Sequence, residues 1–346
     1  MKYFLYLFFF FISCSSQKEL SHSYTQVEVI SVLNEKISIR AVLTDENYLW
    51  YGADNGNYGK VNLKTNEITK YTISSDTVVN ELRSIAQTNE YIFLLPVASP
   101  AHIYKISKKD NRQQIVYTEL NEKVFYDSMH FKDELNGMAM GDPTSDCLSV
   151  IKTTDGGNKW IKLTCDNLPK VELGEAAFAA SNSNLIYTNS KIFMVSGGIK
   201  SRVFVSGDFG LSWQVYNTPL IQGEAMTGIF TADFYNDTIG FVSGGNYEKP
   251  NNNTFNKAIT FDGGKTWKLV SNGLGFGYAS CVQFIPNSKG KSLVSVGSSG
   301  IQLSNDFGNY WMKLNSDNDL YTLRFLDSTT AFAAGKNKIV KLVFSN

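Results

Sequence analysis

Four near-copies of one eight-residue signature lie in the second half of this chain: TTDGGNKW at 153–160, SGDFGLSW at 206–213, TFDGGKTW at 260–267 and SNDFGNYW at 304–311. Each has a hydroxyl residue, Asp two positions on, Gly two further and Trp at the end. Self-similarity of this kind is the mark of a repeat architecture, in which each unit buries its apolar face only against its neighbours. The signature Asp residues at 155, 208, 262 and 306 are 53, 54 and 44 positions apart. That spacing leaves room for four short strands per unit.

Apolar runs ending in glycine precede the signatures and recur earlier in the chain, marked by Gly52, Gly141, Gly197, Gly244, Gly297 and Gly335, with Pro96 in the same place of the second unit. Seven units result, at about 36–73, 80–119, 124–164, 174–218, 223–270, 277–315 and 320–346. The last has room for three strands, and segment 24–32, alternating at Val27, Val29 and Val32, is expected to supply the fourth. Joining the two ends of the chain removes exposed sheet edges. The expected fold is therefore all-β, a seven-bladed β-propeller of four-stranded antiparallel blades, with 24–346 as one domain. Composition agrees, since 23 Phe and 18 Tyr against 7 Pro suit many short aromatic-rich strands.

At the N-terminus Lys2 precedes an apolar run from Tyr3 to Ile12 and then Ser13-Cys14. The run is too short to span a membrane and reads as a signal peptide over 1–14, followed by a tether over 15–23. Phe11-Ile12-Ser13-Cys14 resembles a bacterial lipobox, which implies lipidation of Cys14; a plain secretory signal with an incidental cysteine is the alternative. Lipidation would hang the protein from a bilayer surface, in the bacterial envelope, and Ser15-Ser16 favours the outer membrane. Export permits disulfides. Cys147 and Cys165 flank Gly156 at equal distances and are expected to pair, whereas Cys281, in an apolar stretch, reads as a buried free thiol.

The four motifs resemble the Asp-box, or BNR repeat, of sialidases and many other propellers. The whole mature chain is similar to the bacterial family typified by the photosystem II stability and assembly factor. That resemblance implies a propeller and, loosely, an assembly role; some lipoproteins of the group carry an oxidoreductase label for which no nicotinamide, flavin or haem motif is present here. Within the motif, Asp155, Asp208, Asp262 and Asp306 are expected to hold their own turns, as Asp does in Asx-turns. One carboxylate per turn is a poor cage for a cation.

The candidate site is expected on the face opposite these turns. Aligning the innermost strands as SIRAV, ELRSI, FYDSM, GEAAF, AMTGI, YASCV and YTLRF places Arg40, Arg83, Asp127, Glu175, Thr227, Ser280 and Arg324 near the channel mouth. The chain has five arginines, and three of them fall at this position. Arginine forks suit carboxylate and phosphate oxygens, so the pattern points to an anion-binding funnel. Salt bridges or carbonyl contacts that fill the channel are the competing reading. An arginine triad also resembles sialidases, although Arg40-Ala41-Val42 lacks their Arg-Ile-Pro. Glycoside hydrolysis needs paired carboxylates, for which Asp127, Glu175 and Asp142 are candidates.

The formal net charge of zero speaks against nucleic acid, which needs a basic face. His22, His102 and His130 have no metal-ligand spacing, so neither a metal nor a cofactor is expected. The leading expectation is a membrane-anchored, monomeric extracytoplasmic module that binds a protein, an anionic small molecule or a glycan; a sialidase-like glycoside hydrolase is the alternative.

Overall fold

The structure is a computed structural model that describes residues 23–74 and 79–346. The signal segment, Cys14 and most of the tether lie outside the described residues. Antiparallel strands make up six sheets, four of four strands and two of six. Counted by its sheets the propeller has six blades, which corrects the expected seven separate four-stranded ones. The cause is strand continuity. Gln26–Thr44 pairs with Thr330–Ser345 over one half, from Gln26 opposite Ser345 to Ser38 opposite Lys336, and with Tyr48–Ala53 over the other. The last and first units thereby become one sheet, which also holds Leu320–Phe325, Asn57–Asn62 and Ile68–Thr72.

The second irregularity lies in the fourth unit. Its four-stranded sheet begins only at Leu185–Tyr187, and Glu175–Ala176 with Gly197–Gly198 joins the neighbouring sheet through a pairing of Gly197 with Gly228. Residues 177–184 form no strand, yet Ala177 and Ala179 to Asn184 are buried. They cross the centre of the propeller.

Apolar side chains of adjacent sheets make the core, and the motif tryptophans sit in those seams. Trp160 packs edge-on against Phe131 of its own sheet and Phe93 of the sheet before it, and Trp311 does the same with Phe276 and Phe241. Such ring pairs add to simple burial because their edges and faces carry opposite partial charge.

Each signature is a closed local network. In the third copy Thr260 Oγ1 donates to Asp262 (2.8 Å) and accepts the Gly264 N–H (3.0 Å). Asp262 then accepts the amides of Lys265 and Thr266 and the Thr266 hydroxyl. Gly264 adopts φ +86°, a left-handed conformation that favours glycine. Asp155, Asp208 and Asp306 close their turns in the same way. Asp262→Ala is expected to cost about 1–2 kcal/mol, since four backbone or hydroxyl donors lose their acceptor at a largely solvated turn; urea melts of the variant check it.

A register feature positions the site. In five innermost strands one residue bulges out of the ladder, so that two residues face one: Arg40, Arg83, Asp127, Phe230 and Tyr321. The glycines of the second strands sit opposite these bulges because the backbones crowd there. A Cβ on Gly141 would lie 2.1 Å from the Phe125 carbonyl, and one on Gly335 only 1.8 Å from that of Asp319.

Candidate functional site

The bulges turn five side chains toward one end of the central channel. Arg40 and Arg83, from adjacent sheets, meet there over Glu81. Arg83 Nε donates to Glu81 (2.8 Å), its second nitrogen lies 2.7 Å from the same oxygen, and Arg40 Nε stands 3.8 Å from the other oxygen. Ser38 Oγ also donates to Glu81, at 2.9 Å. Across from Glu81, the Arg40 guanidinium lies 4.1 Å above the ring of Tyr321, a cation–π contact. Two guanidinium groups thus share the one Glu81 carboxylate.

The opposite wall is aromatic. Phe178 and Phe230 stack with ring centres 3.8 Å apart, Tyr278 meets Phe230 edge-on, and Tyr247 packs on both Phe230 and Tyr278. Tyr247 remains 47% exposed, in the loop joining Gly240–Asn246 to Lys257–Thr260. That Asn-rich loop is tied down, with the Pro250 carbonyl accepting the Tyr278 amide and the Asn253 carbonyl accepting that of Gly273.

Residues 179–182 plug the channel beneath this mouth. The Ala179 carbonyl accepts from Arg83 (3.5 Å) and that of Ala180 from Arg40 (3.3 Å). Asn182 takes the Met129 amide and donates to the Ile85 carbonyl, while Ser181 Oγ donates to the Ser280 carbonyl. One short segment thus bonds to four sheets besides those flanking it in sequence. No periodicity announces it; its only sequence sign is a run of small and polar residues, 179–184, where an apolar strand is expected.

Arg40, Arg83, Asp127 and Ser280 come together at this end as the alignment expects, but the other three positions do not. Arg324 lies three residues beyond the bulge of its strand, at the opposite end of the channel, where it donates to the Ser181 and Asn182 carbonyls at 2.8 and 2.9 Å. Thr227 is buried and turned to the Glu224 carbonyl (2.8 Å). Glu175, buried outside the ring, is held by Arg202 through both oxygens (2.9 and 2.5 Å) and by Ser196 (2.6 Å). Arg202 and Glu81, the partners that decide these roles, carry no signal of their own in the repeat alignment.

The candidate acids are accordingly closed to a substrate. Asp127 is fully buried, neither oxygen accepts a hydrogen bond, and burial, reinforced by nearby Asp142, pushes its carboxyl well above the usual range. Burial raises Asp142 to about 6, although its oxygen accepts the Ala177 amide at 2.8 Å. A carboxyl raised on folding stabilises while protonated and loses that contribution as pH climbs from about 4 through about 6. For Asp142 the loss is about 3 kcal/mol. Asp142→Asn keeps the acceptor for Ala177, so at pH 7.5 it is expected to be more stable than the parent by about 2–3 kcal/mol and to show a shallower decline between pH 4 and 7. Melts across that range check it.

Cys147 and Cys165 form a disulfide with Cα atoms 5.5 Å apart, and Cys281 is a buried free thiol. Among the described residues one group of three potential metal ligands lies within reach, Asp146 with Cys147 and Cys165, and its sulfurs are spent in that disulfide.

This chain is a β-propeller by likeness to solved structures. It superposes on YCF48 bound to D1 peptide with a TM-score of 0.65 at 14% identity, covering 94% of this chain and 98% of that one. YCF48 from Cyanidioschyzon merolae gives 0.64 at 11%, covering 92% and 98%, and U3-55K gives 0.65 at 13% with the same coverage. No protein-family model and no curated protein sequence matches the chain. At these identities the likeness establishes the fold alone.

Proposed function

We propose that this chain is a non-catalytic, protein-binding propeller that receives an acidic segment of its partner at the Arg40–Arg83 mouth. One observation carries the reading: two arginines on adjacent bulges share a single carboxylate beside an aromatic wall. A partner carboxylate completes the second arginine pairing, and Tyr247 with Tyr321 offers it flat apolar contact. The D1 peptide complex of YCF48 supports peptide binding as a use of this fold. An anionic glycan or small molecule would meet the same charge, but the aromatic wall extends past what a compact anion covers.

We place the protein, by the lipobox-like Phe11 to Cys14, on a lipid anchor in the bacterial envelope, outer membrane preferred, acting as a monomeric assembly or stability factor. The disulfide fits an oxidising compartment. Fluorescence anisotropy with labelled acidic peptides containing leucine, read at two salt concentrations, tests the binding reading. Saturable binding that weakens with salt is expected for the parent and not for Arg40→Met/Arg83→Met; equal binding by both proteins overturns it.

A further inference from the structure

The other end of the channel opens into a cavity of about 470 Å³, bordered by a smaller one of about 240 Å³ that shares His130, Asn182, Asp233, Gln283 and Arg324 with it. This end lies on the Asp-box side, and the plug at 179–182 separates it from the Arg40–Arg83 mouth. Its upper wall is apolar, from Val42, Ile85, Phe284 and Phe325. Its floor is polar and only partly satisfied.

Arg324 and Asp233 line this cavity without forming an ion pair with each other. Asp233 accepts one backbone amide on each oxygen, Phe234 at 2.9 Å and Phe284 at 2.7 Å, which leaves each oxygen a further lone pair. The terminal nitrogens of Arg324 are taken up by the carbonyls of Leu323, Ser181 and Asn182, with Thr322 Oγ1 and Cys281 Sγ at longer range, and Nε takes part in none of these bonds, so Nε–H is the donor left for a ligand. Gln283 accepts the Phe325 amide through Oε1 (3.2 Å), so its own NH₂ group stays available. His130 bonds the Asn182 carbonyl through Nε2 (2.9 Å), and burial followed by the Arg324 charge lowers it to about 4, so at neutral pH the ring adds no charge and presents Nδ1 as an acceptor. Burial raises the Asp233 carboxyl to about 6, which leaves it mainly ionised at pH 7.5, so a cation with a donor and a carboxylate acceptor share one apolar-walled cavity, a pattern that matches a dipolar ligand.

We propose that the Asp-box-side mouth is a second binding site, for a small zwitterion: a free apolar α-amino acid or a di- or tripeptide whose carboxylate meets Arg324 and Gln283 and whose α-ammonium meets Asp233. The apolar side chain lies against Val42, Ile85 and Phe284. The two sites lie on opposite sides of the plug at 179–182, and neither Arg40, Arg83, Tyr247 nor Tyr321 lines this cavity.

Saturation-transfer NMR on the purified chain tests it, with L-leucine, L-phenylalanine and leucyl-leucine as ligands and N-acetyl-leucine and leucinamide as analogues that each lack one charge. The zwitterions are expected to bind and each capped analogue to bind at least about tenfold more weakly, the size of one lost charged hydrogen bond. The relative transfer to leucine and leucyl-leucine separates free amino acid from peptide. Leu43→Trp, which fills the cavity from a half-buried wall position, is expected to abolish transfer while acidic-peptide binding at the other mouth persists. Equal binding of leucine and its capped analogues overturns the proposal, as does absence of transfer from every zwitterion at millimolar concentration or undiminished transfer in a folded Leu43→Trp.

Discussion

Arg202→Met is expected to destabilise the protein by about 3–5 kcal/mol, the cost of leaving a buried carboxylate without its cation. Glu175 has a fully inaccessible side chain and Arg202 one that is 15% exposed, so the pair is sheltered from water and salt. Removal of the guanidinium leaves Glu175 with two weaker donors, Ser196 Oγ and the Glu172 amide, and strips the Lys170 carbonyl of its 2.9 Å partner. The loss spreads along the chain, because Glu175 begins the two-residue strand that leads into the plug. Glu175→Leu combined with Arg202→Met is expected to recover most of the stability, since the penalty belongs to the uncompensated charge and not to the missing attraction. Equilibrium urea denaturation of the single and double variants decides the matter. A single-variant cost below about 1 kcal/mol would show that water reaches Glu175 and return it to the list of candidate acids.

The contrast between what the sequence shows and what it hides follows the range of the interactions. The Trp-ended signature reads clearly because Thr260, Asp262, Gly264 and Thr266 bond one another within seven residues. Arg40 and Arg83 are also legible, since each follows an apolar residue at the start of an innermost strand. Arg324 misleads for the same reason. Leu323–Arg324 repeats the Leu82–Arg83 dipeptide, yet the ladder equates Leu82, paired with Pro96, to Leu320, paired with Gly335, so Tyr321 occupies the arginine position. A bulge adds a residue without altering the apolar pattern, and an alignment by pattern slips across it. The sheet count fails at longer range. Whether Gln26–Thr44 serves one sheet or joins two depends on its pairing with Thr330–Ser345, some three hundred residues away. The plug is the extreme case, as the Asn182 side chain and the carbonyls of residues 179–182 find their partners on other sheets.

Arg40→Met and Arg83→Met are expected to weaken acidic-peptide binding about tenfold each, and the pair about a hundredfold, because each removes a charge-assisted donor from the mouth. Folding should suffer less than in Arg202→Met, because Glu81 keeps the Ser38 hydroxyl and stays partly accessible to water. Both arginines touch the plug carbonyls at long range, 3.3 and 3.5 Å, in contrast to the 2.8 and 2.9 Å bonds from Arg324. Glu81→Gln provides the opposite perturbation: it frees both guanidinium groups from their shared carboxylate and is expected to tighten binding severalfold and steepen its salt dependence. Loss of binding in all three variants would instead mean that the Arg–Glu cluster shapes the mouth without contacting the partner.

The partner is expected to dock at the Arg40–Arg83 mouth and not on the face of the four signature turns. Site-specific photo-crosslinking of the full chain in intact cells addresses it directly. A benzoylphenylalanine is placed at Tyr247 beside that mouth, or at Leu211 or Tyr310, which are 75% and 69% exposed at the signature turns. A discrete adduct is expected from Tyr247 that maps to an acidic segment and disappears with Arg40→Met/Arg83→Met, and none from the turns. Adducts confined to Leu211 and Tyr310, or a Tyr247 adduct indifferent to both arginines, would contradict it.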